Sequence, residues 1–256
     1  MTDIRIDLKP PLAWVTLNRA DKRNAVTGAM WTDIAATSAQ LATQRELRVV
    51  LLRGAGDEAF SAGADIAEMH ANVADPARMR AMQDATQTGQ QAWFDLPLPT
   101  IAVIRGACVG GGCGLAIASD LRLATPDAYF AITPAKLGLA YSLTDTRRLV
   151  DLVGPARAKE LLYTAGKFSA AEALAMGLIN RIVPADQIDA AAETLALDIA
   201  ANAPNSLRIA KRLFNGIARG ERLETPESSA LFNDSFKTPE FLEGAAAFQQ
   251  KRRPKF

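Results

Sequence analysis

Three consecutive glycines, Gly110 to Gly112, follow an apolar run and lead into Leu115 to Ala118, which reads as the continuation of a helix begun in the glycines. A strand–glycine–helix junction lets a ligand approach the backbone closely, and the first N–H groups of the helix have no internal partner. They can hold an oxygen on which negative charge develops. The glycines also permit tight strand–helix packing, so alone they leave both readings open. A second stretch, Phe60 to Ile66, carries Gly63 just before Ala64 and Asp65. Gly63 allows a backbone angle that turns the Ala64 N–H toward a ligand, while Asp65 reads as the cap of a following helix. Neither stretch is a GxGxxG, and no Gly-Lys-Ser/Thr follows, which disfavours nucleotide hydrolysis.

Other chemistries have little to work with. The chain of 256 residues holds one histidine, His70, which reads as a surface side chain on a helix. A His-rich metal site is impossible, and a Ser-His-Asp triad would rest on His70 alone. Cys108 and Cys113 form neither a disulfide framework nor a zinc pattern, so a reducing, cytoplasmic setting is expected. Lys and Arg number 29 against 28 Asp and Glu, a net charge of +1. That balance argues against nucleic acid or an anionic membrane as a partner. No segment reaches the roughly 20 apolar residues of a membrane span.

The elements that must position these loops follow from periodicity. Residues 1–9 alternate Ile4, Ile6 and Leu8 with charges, as an edge strand does, and Ala13 to Leu17 reads as a strand. Leu47 to Leu52, interrupted only by Arg48, and Thr100 to Ile104 are near-continuous apolar runs, the mark of strands buried on both faces. Leu121 to Ala124 and Tyr129 to Ile132 read as short strands. Thr27 caps a helix with Met30, Ile34 and Leu41 on one face, and Pro76 to Phe94 reads as a helix weakened by Gly89. Later segments are helical: Pro155 to Thr164, the capping box Ser169 to Glu172 stopped by Gly177, and Ile188 to Ile199. Asn205 to Ile217 has Leu207, Ala210, Leu213, Phe214 and Ile217 at helical spacing, and Thr238-Pro239 opens a last helix. The expected fold is α/β, with helices gathered toward the C-terminus.

The ordered set NRADKRNA (18–25), FSAGADI (60–66), PTIAV (99–103), GGGC (110–113), SD (119–120), AEALAMGLI (171–179) and FQQKR (248–252) resembles the crotonase, or enoyl-CoA hydratase/isomerase, superfamily over nearly the whole chain. The resemblance implies a spiral of ββα units over 1–200. A C-terminal helical region, 201–256, would serve oligomerisation and cover the CoA site. It implies an acyl-CoA thioester partner, a homotrimer or dimer of trimers, no metal, and no cofactor beyond the CoA of the substrate. It places the two backbone N–H groups that hold the thioester oxygen at Ala64 and Gly111. It assigns CoA contacts to Arg23, Ala25, Ala62, Asp65 and Ile66, with Phe248 and Lys251 at the cover.

The chain also departs from the pattern. The two glutamates that move water in the hydratases match Gly114 and Pro134, neither of which can carry a proton. The stretch FAITPAKLGLAYSL (130–143) is similar to the methylmalonyl-CoA decarboxylase branch and puts Tyr141 on that branch's active-site tyrosine. Losing CO2 from a malonyl thioester yields the enolate directly, so no base is needed, and a tyrosine could return the proton. That branch has a histidine where Ala64 stands and a glutamate where Gly114 stands. Ser142 occupies the place of the nucleophilic aspartate of a chlorobenzoyl-CoA dehalogenase, which argues against dehalogenation. Asp145 reads as a helix cap. Arg147 and Arg148 could meet a substrate carboxylate, although Arg148 reads as structural. The expected activity is decarboxylation of a short malonyl-type CoA. The alternatives are a hydratase or isomerase using a group such as Tyr141, and a silent acyl-CoA binder.

Overall fold

The computed structural model describes residues 2–256. Two sheets carry the chain. The larger contains β1 (Ile4–Lys9), β2 (Leu12–Leu17), β3 (Val49–Gly54), β5 (Thr100–Ile104), β7 (Leu121–Ala124) and β10 (Arg181–Ile182), side by side in that order. The smaller contains β4 (Ala59–Ser61), β6 (Ala107–Val109), β8 (Tyr129–Ala131) and β9 (Phe168–Ser169). The pairs β3/β4, β5/β6 and β7/β8 each give one strand to each sheet, so the chain advances as a spiral. Its neighbours in the larger sheet are parallel after the β1–β2 hairpin.

Among the described residues ten α-helices complete the fold. They are α1 (Gly28–Ala42), α2 (Ile66–Asn72), α3 (Pro76–Phe94), α4 (Gly111–Ile117), α5 (Leu143–Thr164), α6 (Ala170–Ala175), α7 (Ile188–Ala200), α8 (Pro204–Ala218), α9 (Pro226–Ser235) and α10 (Pro239–Gln249). None is long and apolar enough to cross a membrane.

Every residue of β2 and β5 is buried, as the continuous apolar runs require. One face of the larger sheet builds a core with Trp31, Ile34 and Trp93 from α1 and α3. The other face packs Leu51, Ile101 and Val103 under Ile188, Ala192 and Ala196 of α7.

Gly89 turns out to serve the packing of α1 on α3. A Cβ there would stand 2.5 Å from the Trp31 carbonyl oxygen. Gly89→Ala would gain about 1 kcal/mol of helix propensity. It would lose about 1–3 kcal/mol to overpacking. A lower urea midpoint is expected; a raised one would show that the helices can separate freely.

Two expectations need correction. Asp145 does not cap a helix. Ser142 is the N-cap of α5, its hydroxyl accepting from Asp145 N, and Asp145 lies inside the first turn with its side chain buried. The helix read as starting at Pro155 is the second half of α5, broken from the first at Gly154 (φ 77°, ψ 162°). On α8 the apolar positions do not turn inward together: Lys211 and Asn215 are buried, while Phe214 is 71 % exposed.

Candidate active site

The 60–66 loop is held from below. Asn24 donates to the Ala55 and Ala59 carbonyls and Ser61 Oγ donates to Asn24 O, at 2.7–3.0 Å. Ala62 N donates to Arg23 O at 2.9 Å. Val26 N donates to Gly63 O and Asp65 N donates to Val26 O, which pins the residues on either side of Ala64 to one partner. Asp65 caps α2 by accepting from Glu68 N and receives Arg19 Nη1 at 3.0 Å. These donors hold its carboxyl below the ordinary range. So the structure gathers Arg23, Ala25, Ala62, Ala64, Asp65 and Ile66 on one side. Arg23 and Ile66 are exposed there, and Ala25, Ala62 and Ala64 are half-buried.

The glycine run meets this loop directly. Gly63 has φ +95°, and a Cβ on it would lie 2.8 Å from Val109 O and 3.3 Å from Gly111 N. Gly110 has φ +53°, which turns the chain from β6 into α4. Gly112 lies against Ser61, where a Cβ would stand 2.5 Å from the serine Cβ. As a result Gly111, first residue of α4, sits against Ala64: a Cβ on Gly111 would be 3.8 Å from Ala64 N. Neither N–H donates to any acceptor within the protein, among the described residues. Two neighbouring, unspent N–H groups, one of them at a helix N-terminus, have the chemistry to hold a developing oxyanion.

Beside that pair the two glutamate-equivalent positions carry no acid. A Cβ on Gly114 would collide with the Gln90 amide and lie 3.2 Å from the Tyr141 hydroxyl. Pro134 opens a short turn and lines a small cavity with Ala135, Leu139, Tyr141, Thr146 and Leu162, in which Tyr141 is the sole ionisable side chain. The Tyr141 hydroxyl is buried without a hydrogen-bond partner. Burial, with the Asp145 charge added, raises its pKa well above that of an ordinary phenol. The Tyr141 hydroxyl thus lies against the Gly114 position.

Sequence reasoning missed Gln90, Ser61 and Trp31 as parts of this wall. A buried glutamine on an amphipathic helix leaves no signal in the pattern. Ser142 donates to Asp145 Oδ2 at 2.8 Å. Arg148 is buried, donates to Gln91 Oε1 and stacks on Phe94 at 4.4 Å, so it is a structural residue. Phe248 is 84 % exposed and Lys251 is exposed without an ion-pair partner; no hydrogen bond ties either to the 60–66 loop. His70 is exposed, and both cysteines are free and buried. No group of three or more His, Cys, Asp or Glu among the described residues could hold a metal ion. A cavity of about 700 Å³ lies elsewhere, between α8 and the α4–α5 region.

The family model for enoyl-CoA hydratase/isomerase matches residues 8–256. The chain belongs to the enoyl-CoA hydratase/isomerase family, the crotonase superfamily. Its relatives in this family include a short-chain-enoyl-CoA hydratase of Clostridium acetobutylicum, 30% identical over 99% of this chain and 97% of that one. Among solved structures, an enoyl-CoA hydratase/isomerase family protein from Hyphomonas neptunium is 40% identical, with a TM-score of 0.96 over 100% of this chain and 97% of the other. An enoyl-CoA hydratase from Bacillus anthracis is 32% identical, with a TM-score of 0.90 over 100% and 99%. The spiral expected from the motifs is therefore the family fold.

Proposed function

We propose that this crotonase-superfamily chain binds an acyl-CoA thioester, stabilises its enolate at the Ala64 and Gly111 N–H groups, and releases CO2 from a short malonyl-type CoA. The observation that carries the reading is the pairing of an intact hole with Gly114 and Pro134 beside it. When the carboxylate leaves as CO2, the C–C bonding electrons pass into the thioester as the enolate, and stabilising that oxygen is the main demand. The α-carbon then takes one proton, for which Tyr141, with its hydroxyl against Gly114, is the candidate donor. Arg23, Ala25, Ala62, Asp65 and Ile66 would hold the CoA.

Hydration or isomerisation is the second reading. It is favoured by the hydratase names of the relatives and by the Asp145 carboxyl beside Tyr141. The test is CO2 release from malonyl-, methylmalonyl- and ethylmalonyl-CoA, with crotonyl-CoA hydration run in parallel. CO2 from at least one malonyl thioester is expected. Brisk hydration without any CO2 would replace the first reading by the second, and tight binding without turnover would leave a silent binder.

The assembly belongs to the same proposal. Phe214, Leu242 and Phe248 leave apolar area open on α8 and α10, which suits burial against further copies in a trimer or dimer of trimers, with Phe248 and Lys251 then covering a neighbour's CoA site. Phe214→Asp is expected to lower the mass seen by light scattering; an unchanged mass would speak against this face.

A further inference from the structure

Gln90 stands where a side chain of α4 would otherwise reach. Gly111 and Gly114 lie three residues apart in α4, so they share the face that meets Ala64, with Gly114 one turn further along. A Cβ on Gly114 would collide with the amide of Gln90, which comes from α3, and would lie 3.5 Å from Gln90 Cδ. The end of a long side chain can usually swing away from such a collision, but this one is fixed. Gln90 is 3 % exposed, and with its NH2 group turned to Asp145 it donates to both carboxylate oxygens, at 3.0 and 3.1 Å. Ser142 Oγ donates to Oδ2 of the same carboxylate at 2.8 Å, so Asp145 is itself held. On its other side Gln90 lines a cavity of about 470 Å³ between α3 and the start of α5, together with Gln87, Gln91, Ser142, Thr144 and Arg148. One clamped side chain separates the Gly114 face of α4 from the space behind it.

We propose that Gln90 is the specificity-determining residue of this site: its amide ends the acyl subsite at Gly114 and restricts the chain to thioesters with short acyl groups. This deepens the acyl-CoA reading above and rests on it. An acyl group whose carbonyl oxygen sits between the Ala64 and Gly111 N–H groups brings its next carbons over Gly114, about 4.5 Å along α4. A butyryl chain ends against the amide there, and the two further methylenes of a hexanoyl chain have to displace it. Displacement strips a buried carboxylate of its amide donors, which is costly. The restriction concerns the fit of the acyl group and not the fate of a proton, so it holds for decarboxylation and hydration alike.

The test is calorimetric binding of butyryl-CoA and hexanoyl-CoA to the full chain. The wild type is expected to bind hexanoyl-CoA about tenfold or more weakly than butyryl-CoA, the scale on which a closed pocket rejects extra methylenes. Gln90→Ala opens the way to the cavity behind and should bring the two affinities within about twofold, chiefly by tightening hexanoyl-CoA. Gln90→Met keeps the length and bulk of the side chain but loses the amide donors, and should retain the wild-type preference. A merely structural role in holding Asp145 would move both variants alike. If Gln90→Ala does not fold, the double variant with Asp145→Asn, which removes the stranded charge, takes its place. A wild type without preference for butyryl-CoA, a preference that survives Gln90→Ala, or one lost equally in Gln90→Met would overturn the role of Gln90 while leaving the acyl-CoA reading intact. A wild type that binds neither thioester would overturn both.

Discussion

Gly111→Pro is expected to lower kcat by about 10²–10³-fold, the measured scale for losing one oxyanion donor, while the protein stays folded. The change removes one N–H and adds a ring. Proline is well tolerated at the first position of a helix, where its missing donor would be unpaired anyway. Gly111 holds that position in α4. Its added Cβ would meet Trp31 Cζ2 at 3.5 Å and Ala64 N at 3.8 Å, both ordinary contacts. Gly110 before it, at φ 53° and ψ −121°, is the mirror image of the extended conformation that residues before proline adopt. The fold should therefore accept the ring, and the loss should fall on turnover. Steady-state kinetics beside a thermal melt would show it. A variant with normal melting and near-normal kcat would remove Gly111 from the chemistry.

The second large effect is on stability. Asp120→Ala is expected to cost about 3–5 kcal/mol, because it strands a buried cation. Lys211 of α8 is 6 % exposed and donates to Asp120 Oδ2 and to Leu98 O, each at 2.8 Å. Thr100 N and Oγ1 donate to the same carboxylate, at 2.7 and 3.0 Å. Burial pulls the Lys211 pKa down, and the Asp120 charge opposes that pull. The same charge supports Arg122, whose buried guanidinium is pushed down to about 10. Without Asp120 the ammonium keeps the Leu98 carbonyl alone, and α8 loses its tie to β5. The cost should read out in urea denaturation. Adding Lys211→Met should recover most of it, since an apolar pair of similar volume avoids the desolvation. A cost below about 1 kcal/mol for Asp120→Ala would mean the ammonium finds water or another acceptor.

Much of this was legible in the residues, and the exceptions have physical reasons. Continuous apolar runs identified β3 and β5, and Pro76 with Phe94 bounded α3 as observed. Ser169 and Glu172 form the capping box that the spacing predicts. The second sheet was harder: β8 was read at Tyr129 to Ile132, but β4 and β6 have three residues each and show no period. On α8 the spacing is helical as read, but the face that turns inward had no signal. Lys211 and Asn215 go inward because their side chains satisfy the Leu98 and Phe94 carbonyls. The loops around Ala64 and Gly111 were legible because glycines at forced angles are punctuation in a sequence. Asp145 was misread since its partner Gln90 lies on another helix, and a contact across the fold has no spacing to betray it. The lone histidine leaves a triad or a metal site little to work with, and the hole proposed at Ala64 and Gly111 uses backbone donors instead.

The most direct test of that claim is vibrational. Isotope-edited infrared difference spectra of butyryl-CoA labelled at the thioester carbonyl report whether that oxygen accepts hydrogen bonds when bound. The carbonyl stretch is expected to move to lower frequency on binding to the wild-type chain, and to lose most of that displacement in Gly111→Pro. A carbonyl at its solution frequency in the wild-type complex, or a displacement indifferent to Gly111, would contradict an oxyanion hole at Ala64 and Gly111.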